Sequence, residues 1–583
     1  MGFPYARGFR LPPMAAVLLA AFACDGPSSV DVDSGPDGST DADTDADADT
    51  DTDTGTGEEF VCEVDPERVF GDVAFLTGDE LGGRKAGSEG NELALQMAEA
   101  VFEELGLEPA GDDGTFRQAF GFQRAEFLAL PSVAVDGAVL TQGYPPAGDY
   151  SVFYGSGSAN LTAEMIYVGY GMTVPPYDPA DYPDCPLPST GYDDYEGIDV
   201  TGKVVIIVRH GPDDDDAVPD TCPNNDLCDV EPCLWNFGYK AANADLHGAA
   251  AMIVVQNYGS FAEHMPGTLG TDAYFEDLAS VFVDRGIIEA SVPSLETWTD
   301  GIDASLAPDP HATGVEATFD VSAVLLDVST ANVLGAIPGT DPDIGDEVVV
   351  VGGHIDHLGV NISYCDTSGA TCYGADDNAS GSAVTMELAR LASHCANPAR
   401  TIVFALWNGE EDGLLGSVDY VQHPAFSLAS TVAAFSVDMV GAGEDTNLVL
   451  YGAEAVANAW LGQVMEGSAA EMGFGWAVTP EAVVEYSDHY PFADPGNYGV
   501  AADPIPAVCA MSGVLETHPY YHTVADTIDE IGITHLEMSA SMMWAGIKPL
   551  VEGTEEQYLT SKAAPEDAAP RRADTRDRLF RDR

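Results

Sequence analysis

Val348-Val349-Val350-Val351-Gly352-Gly353-His354-Ile355-Asp356-His357 decides how the rest of the chain is read. Four β-branched residues in a row, too few for a helix, predict a strand covered on both faces, as in a parallel sheet. The strand runs straight into imidazoles and a carboxylate. Thr401–Leu406 and Val432–Val437 repeat the pattern. The first leads into Trp407-Asn408-Gly409-Glu410-Glu411, the second into Asp438-Met439-Val440-Gly441. Ser380 to Ala392 reads as a helix between two of these strands. In open α/β sheets ligands bind beyond the carboxyl ends of the strands, so the polar residues collect where chemistry is expected.

From about Ala323 onward, hydrophobic strands alternate with helices. Upstream, Val69 to Leu107 carries a long helical pattern: Leu93, Ala94, Met97, Ala98, Val101, Phe102 and Leu105 recur near a 3.6-residue period, and Gly106 ends it. From about Phe127 the pattern becomes β-rich, with runs at Glu164–Gly171 and Gly202–Val208. A helix through Lys240, Ala241, Ala244 and His247 follows, then a strand at Ala250–Val255. The expected fold is α/β, a mostly parallel sheet flanked by helices, with an inserted β-rich domain. The 583 residues suit several domains, and 45% hydrophobic residues exclude a wholly disordered chain.

The chain has 21 Lys and Arg against 97 Asp and Glu, a formal net charge of −76. Such a field repels phosphate backbones, which argues against nucleic acid as a partner. Arg7 and Arg10 precede an apolar run from Met14 to Ala23 that ends at Cys24. That run falls short of the roughly 20 residues a bilayer span needs, and reads as an export signal over 1–24. Two forms stay open: a lipoprotein signal, giving membrane anchorage through a lipidated Cys24, and an ordinary secretory signal cut nearby. Residues 25–60, with Asp at every second position from Asp41 to Asp53, read as an extended, self-repelling acidic spacer. The end, 553–583, reads as a disordered tail. Ten cysteines agree with an oxidising compartment. Cys365 and Cys372, flanking a short Gly-containing loop, predict a local disulfide. Cys185, Cys222, Cys228 and Cys233 lack the CxxC pairs of a zinc ribbon and read as disulfide partners.

Imidazoles and carboxylates are the ligands of Zn²⁺ and similar borderline metals. Besides the strand ends, Gly374-Ala375-Asp376-Asp377-Asn378-Ala379-Ser380-Gly381 and Tyr520-Tyr521-His522-Thr523 offer them. Each piece alone has a plain reading, as a turn, a helix cap or an exposed acidic pair. Five in one chain, most of them at strand ends, point to a metal site. Two imidazoles and three carboxylates suit a pair of divalent ions with one carboxylate bridging, and a fourth carboxylate is left for proton transfer. No GxSxG nucleophile elbow and no HExxH helix is present.

The order HxD, DDNASG, NGEEDGLLGS, SVDMVG and YHTxxDTID resembles the di-zinc exopeptidases of the secreted bacterial aminopeptidase type. Tyr167–Gly171, Asp193-Asp194-Tyr195, Gly202–Val205 and His247–Ala250 resemble a protease-associated domain. The resemblance implies a zinc exopeptidase fold in two parts, 61–127 and 318–552, around an insert at 128–317. It implies two Zn²⁺ ions: His354 and Asp438 on one, Glu411 and His522 on the other, Asp377 bridging. Glu410 is then the general base, Asp356 orients the His354 imidazole, and Tyr521 is placed to hydrogen-bond the developing oxyanion. Ser487–Phe492 resembles a loop beside the substrate cleft. His357, Asp376 and His518 are not made ligands by the motif alignment. The Asp377–Asn378 peptide is expected to be cis. Peptide substrates follow, with amino-terminal hydrolysis favoured over a carboxypeptidase or aminoacyl cyclase on the same site, or a non-catalytic surface receptor on the same fold.

Overall fold

The computed structural model describes residues 62–559 apart from 144–147, 154, 184, 186, 213–236, 258–273, 361–364, 366–368, 444–446, 456, 474–476, 484–485, 516–517 and 558. The segments read as an export signal and an acidic spacer, Cys222, Cys228, Cys233 and the residues beyond 559 lie outside the described residues. Among the described residues no helix is long and apolar enough to cross a membrane.

The valine run forms the strand Val348–His354 at the centre of a nine-stranded sheet. It lies parallel to Thr401–Trp407 on one side and to Thr431–Val437 on the other, and the latter is parallel to Ala507–Ser512. Period-two alternation sorts the side chains between two cores. Val349, Val351, Ile402, Phe404 and Leu406 pack with the helices Pro66–Leu76, Glu89–Glu104, Gly381–Cys395 and Ile533–Val551. Val348, Val350, Val403, Ala405 and Trp407 pack on the other face with Tyr420, Val421 and Phe492. Burial on both faces is why these strands read as continuous apolar runs.

The expected long helix over 69–107 is two helices, Pro66–Leu76 and Glu89–Glu104. The first is capped by Asp65, which accepts from the Arg68 N–H, and the second by Ser88, which accepts from the Asn91 N–H. Gly106, in the left-handed region at φ 69°, follows the second helix as read from the sequence. The interruption serves packing. A Cβ at Gly83 would stand 2.1 Å from the Cys372 carbonyl oxygen, so only glycine lets the chain press against that loop. Arg84 then buries its guanidinium on main-chain carbonyls. Nε donates to Ile355 O, Nη1 to Leu76 O and Tyr373 O, and Nη2 to Gly374 O.

Strand Arg117–Phe127 runs antiparallel to Ala323–Ile337, in register from Arg117 opposite Val333 to Phe127 opposite Ala323. Between these two ends lies a second, eight-stranded sheet. At its centre Ala159–Tyr167, Val204–Val208, Ala251–Val255 and Ala279–Val283 run parallel, with the helix Phe237–Leu246 beside them.

Cys365 and Cys372 are bonded, as their spacing predicts. Cys185 is disulfide-bonded, and Cys509 is a buried free thiol. A further bond, Cys62–Cys395, joins residues 333 positions apart and ties the start of the described chain to the last turn of Gly381–Cys395. Cross-links that close long loops restrict the unfolded chain most, typically by about 2–4 kcal/mol. The double variant Cys62→Ser/Cys395→Ser is therefore expected to melt several degrees lower, and Cys365→Ser/Cys372→Ser to lose less. Thermal melts without reductant, read side by side, check that order.

Candidate metal centre

The carboxyl ends of the three parallel strands and two loops bring the sequence-predicted donors together. His354 Nε2 stands 3.3 Å from Asp377 Oδ1 and 3.3 Å from Asp438 Oδ1. His522 Nε2 stands 3.2 Å from Asp377 Oδ2 and 3.1 Å from Glu411 Oε2. The two oxygens of Asp377 thus face two different donor sets. The Asp377–Asn378 peptide is cis, as expected.

Asp377 Oδ2 and Asp438 Oδ1 are buried and make no hydrogen bond among the described residues, close as the imidazole nitrogens are. Donor atoms held about 2.0–2.2 Å from one tetrahedral cation stand about 3.3–3.6 Å apart, near the spacings found here. These two oxygens, buried beside imidazole nitrogens at such spacings, fit a metal ion. His357 sits differently. Its Nδ1 lies 2.7 Å from Glu411 Oε1 in a hydrogen bond, and 3.7 Å from Asp377 Oδ2. His357, Asp377 and Glu411 also form a group compact enough to hold an ion, but the short bond makes His357 a partner that orients Glu411.

His354 Nδ1 lies 3.2 Å from the main-chain carbonyl of Asp356 and 3.9 Å from that residue's carboxylate. The carbonyl only accepts, so Nδ1 carries a hydrogen and Nε2 is the nitrogen that faces the site. The Asp356 carboxylate accepts from the N–H groups of Glu410 (3.2 Å) and Glu411 (3.4 Å), so it aims the acidic pair more directly than it aims the imidazole. Glu410 Oε2 is 3.9 Å from His354 Nε2. The Tyr521 ring stacks on the His522 imidazole at 3.8 Å. Asp488, in the loop resembling a cleft wall, is buried and accepts from Ser417 Oγ at 2.5 Å.

Burial and crowding set the charge state. Burial pushes Glu410 well above the usual carboxylate range, and the neighbouring acids Glu411, Asp488 and Asp438 add to it against the pull of His354. Burial and Asp377 push Glu411 up, but His522 and His357 outweigh them and hold it down at about 2. Burial works against a charged His522, yet Glu411 and Asp377 hold it up to about 9. Adjacent glutamates therefore divide into one that takes a proton readily and one that stays a carboxylate.

Sequence reasoning gave no role to Asp526, the first acid of DTID in the YHTxxDTID motif, which accepts from the N–H groups of Asp376 (2.8 Å) and Asp377 (3.0 Å). Its signal was its place in that motif, four residues after His522. Asp376 and His518, set aside as ligands, lie directly behind the site: Asp376 Oδ1 accepts from Gly441 and Ala442, and Oδ2 is 2.8 Å from His518 Nε2.

The fold and these donor sets define the class, a metallohydrolase site at the strand ends of an α/β sheet. Residues 332–547 match the model of peptidase family M28, and 162–290, inside the inserted sheet, match that of the PA domain. Both matches agree with the resemblance read from the sequence, the peptidase match lying after the PA match along the chain. An aminopeptidase of Pseudomonas aeruginosa (strain UCBPP-PA14) is 29% identical over 232 residues, 40% of this chain and 37% of that one. Aminopeptidase YwaD of Bacillus subtilis (strain 168) is 31% identical over 196 residues, 32% of this chain and 40% of that one. The chain spans well under half the length of these curated relatives. Two solved structures share the fold. The aminopeptidase from Aneurinibacillus sp. strain AM-1 has TM-score 0.58 at 21% identity, covering 84% of this chain and 94% of that one. BSAP, a zinc aminopeptidase from Bacillus subtilis, has TM-score 0.54 at 20% identity, covering 85% and 96%.

Gly381, at the start of the helix after Asp377, tests how tightly the site is built. A Cβ there would meet Val437 O at 2.1 Å and Asn378 Oδ1 at 2.3 Å. Gly381→Ala must push the Asp377 and Asp438 segments apart, at an overpacking cost of about 1–3 kcal/mol. The expected outcome is a lower melting temperature and weaker zinc uptake, read by melts with and without added zinc.

Proposed function

We propose that this chain is an exported aminopeptidase that holds two zinc ions and hydrolyses the amino-terminal peptide bond of its substrates. One observation carries the reading: the Asp377 carboxylate faces His354 and Asp438 with one oxygen, and His522 and Glu411 with the other. His354, Asp438 and Asp377 would hold one ion, and Glu411, His522 and Asp377 the second. Ions held there supply Lewis acidity, which polarises the scissile carbonyl and acidifies a water.

The chain's own residues do the rest. Glu410, whose burial makes its carboxylate a ready acceptor, takes the attacking water's proton and returns it to the leaving amine. Asp356 fixes the Glu410–Glu411 main chain, and His357 fixes the Glu411 carboxylate. The excess of acids favours an ammonium end of the substrate over a carboxylate end. The nearby cations are committed elsewhere: Arg84 to carbonyls, Lys85 to Glu126, and Arg124 to Glu126 and Asp412. Export draws support from the apolar run ending at Cys24 and from the disulfides Cys62–Cys395 and Cys365–Cys372. Membrane anchorage through Cys24 belongs to the same proposal.

Zinc-loaded protein should cleave dipeptides with a free amine, including carboxyl-blocked ones, and spare amino-blocked ones. A demand for a free carboxylate instead would make it a carboxypeptidase. Glu410→Gln should keep its zinc and lose about 10²–10⁴-fold in kcat. Glu411→Gln should lose zinc. Near-wild-type turnover by a fully loaded Glu410→Gln protein would require another base.

A further inference from the structure

We propose that Asp526 is a positioning residue, which fixes the two-faced Asp377 carboxylate before any metal arrives by gripping the main chain that carries it. The inference rests on the two-ion reading above. Asp526 Oδ1 accepts from the Asp376 N–H at 2.8 Å and Oδ2 from the Asp377 N–H at 3.0 Å, while the Asp526 carbonyl accepts from the Ala375 N–H at 3.3 Å. Two oxygens on successive amides fix the orientation of the peptide plane between them, and with it the direction in which Asp377 leaves the main chain. Asp526 is fully buried, so water does not compete for these bonds.

Asp376 works in the opposite sense. Its side chain leaves the same segment and accepts from Gly441 (2.6 Å) and Ala442 (3.1 Å), just past Asp438, and it meets His518, four residues before His522. The two acids therefore lash together the segments carrying Asp377, Asp438 and His522. Asp376 and Asp526 lie 150 positions apart in sequence, so these bonds join distant segments of the chain. Acidic groups behind metal ligands typically change metal affinity by about 10–100-fold when altered.

The test is zinc affinity of full-length protein, measured by competition with a chromophoric chelator. Asp526→Asn keeps one acceptor and turns an NH₂ group toward the other N–H. Zinc should bind it about 10–100-fold more weakly, and the deficit in kcat should narrow as zinc is raised. Asp194→Asn is the matched control. Asp194 is also buried and accepts from two main-chain N–H groups, of Tyr170 and Met172, but in the insert. It should melt lower and bind zinc as wild type does. Should Asp526→Asn fail to fold, hydrogen exchange on the zinc-free wild-type chain decides: the Asp376 and Asp377 amides should already be protected. Rapid exchange there, or wild-type zinc affinity in folded Asp526→Asn, overturns the proposal alone. A wild-type chain that binds no zinc overturns the two-ion reading, and this proposal with it.

Discussion

Asp356, Asp376, Asp377, Asp438, Asp488 and Asp526 are buried in one neighbourhood, with Glu410 and Glu411 largely buried beside them. A carboxylate taken out of water costs several kcal/mol unless something replaces its hydration. The architecture answers that demand in three ways. Main-chain N–H groups serve Asp356, Asp376 and Asp526. Imidazoles of His357 and His522 serve Glu411. Convergent oxygens with no hydrogen bond at Asp377 and Asp438 are left for cations. The acids with main-chain partners tie segments of the scaffold together, and those facing one another make up the candidate metal centre.

The same demand explains the small residues around the site. A Cβ at Gly352 would stand 2.3 Å from Trp407 Nε1, and one at Gly353 would stand 2.8 Å from Val437 O. Two glycines at the end of the central strand let its neighbours close in, so that His354 emerges between the strands that deliver Glu410 and Asp438. A valine-rich strand that abruptly narrows just before His354 is a packing device.

Much of this was legible in the sequence. The central strands were, because burial on both faces leaves an unbroken apolar run, as in Val348–Val351. The donors were, because imidazoles and carboxylates at strand ends are unusual in combination. What escaped depended on partners distant in sequence. Asp526 stands in the YHTxxDTID motif, but its role shows only once the amides of Asp376 and Asp377 are placed against it. Arg84 looks like a surface cation until four carbonyls surround it. The single helix expected over 69–107 failed for the same reason. Periodicity registers the apolar stripe, but not the close approach at Gly83 that breaks it. Cys62–Cys395 likewise has no local signature.

The ladder between Arg117–Phe127 and Ala323–Ile337 brings Phe127 directly opposite Ala323. The chain therefore leaves the larger sheet and comes back to it at neighbouring points, one strand-spacing apart. For the polypeptide of the larger sheet, everything between those residues is topologically a single wide turn. A turn of any length with adjacent ends adds little closure entropy beyond that of a short one. Such a junction can accept, lose or exchange a whole folded unit without rethreading the sheet that carries the candidate metal centre, so the two parts of this protein are free to change at different rates over evolutionary time.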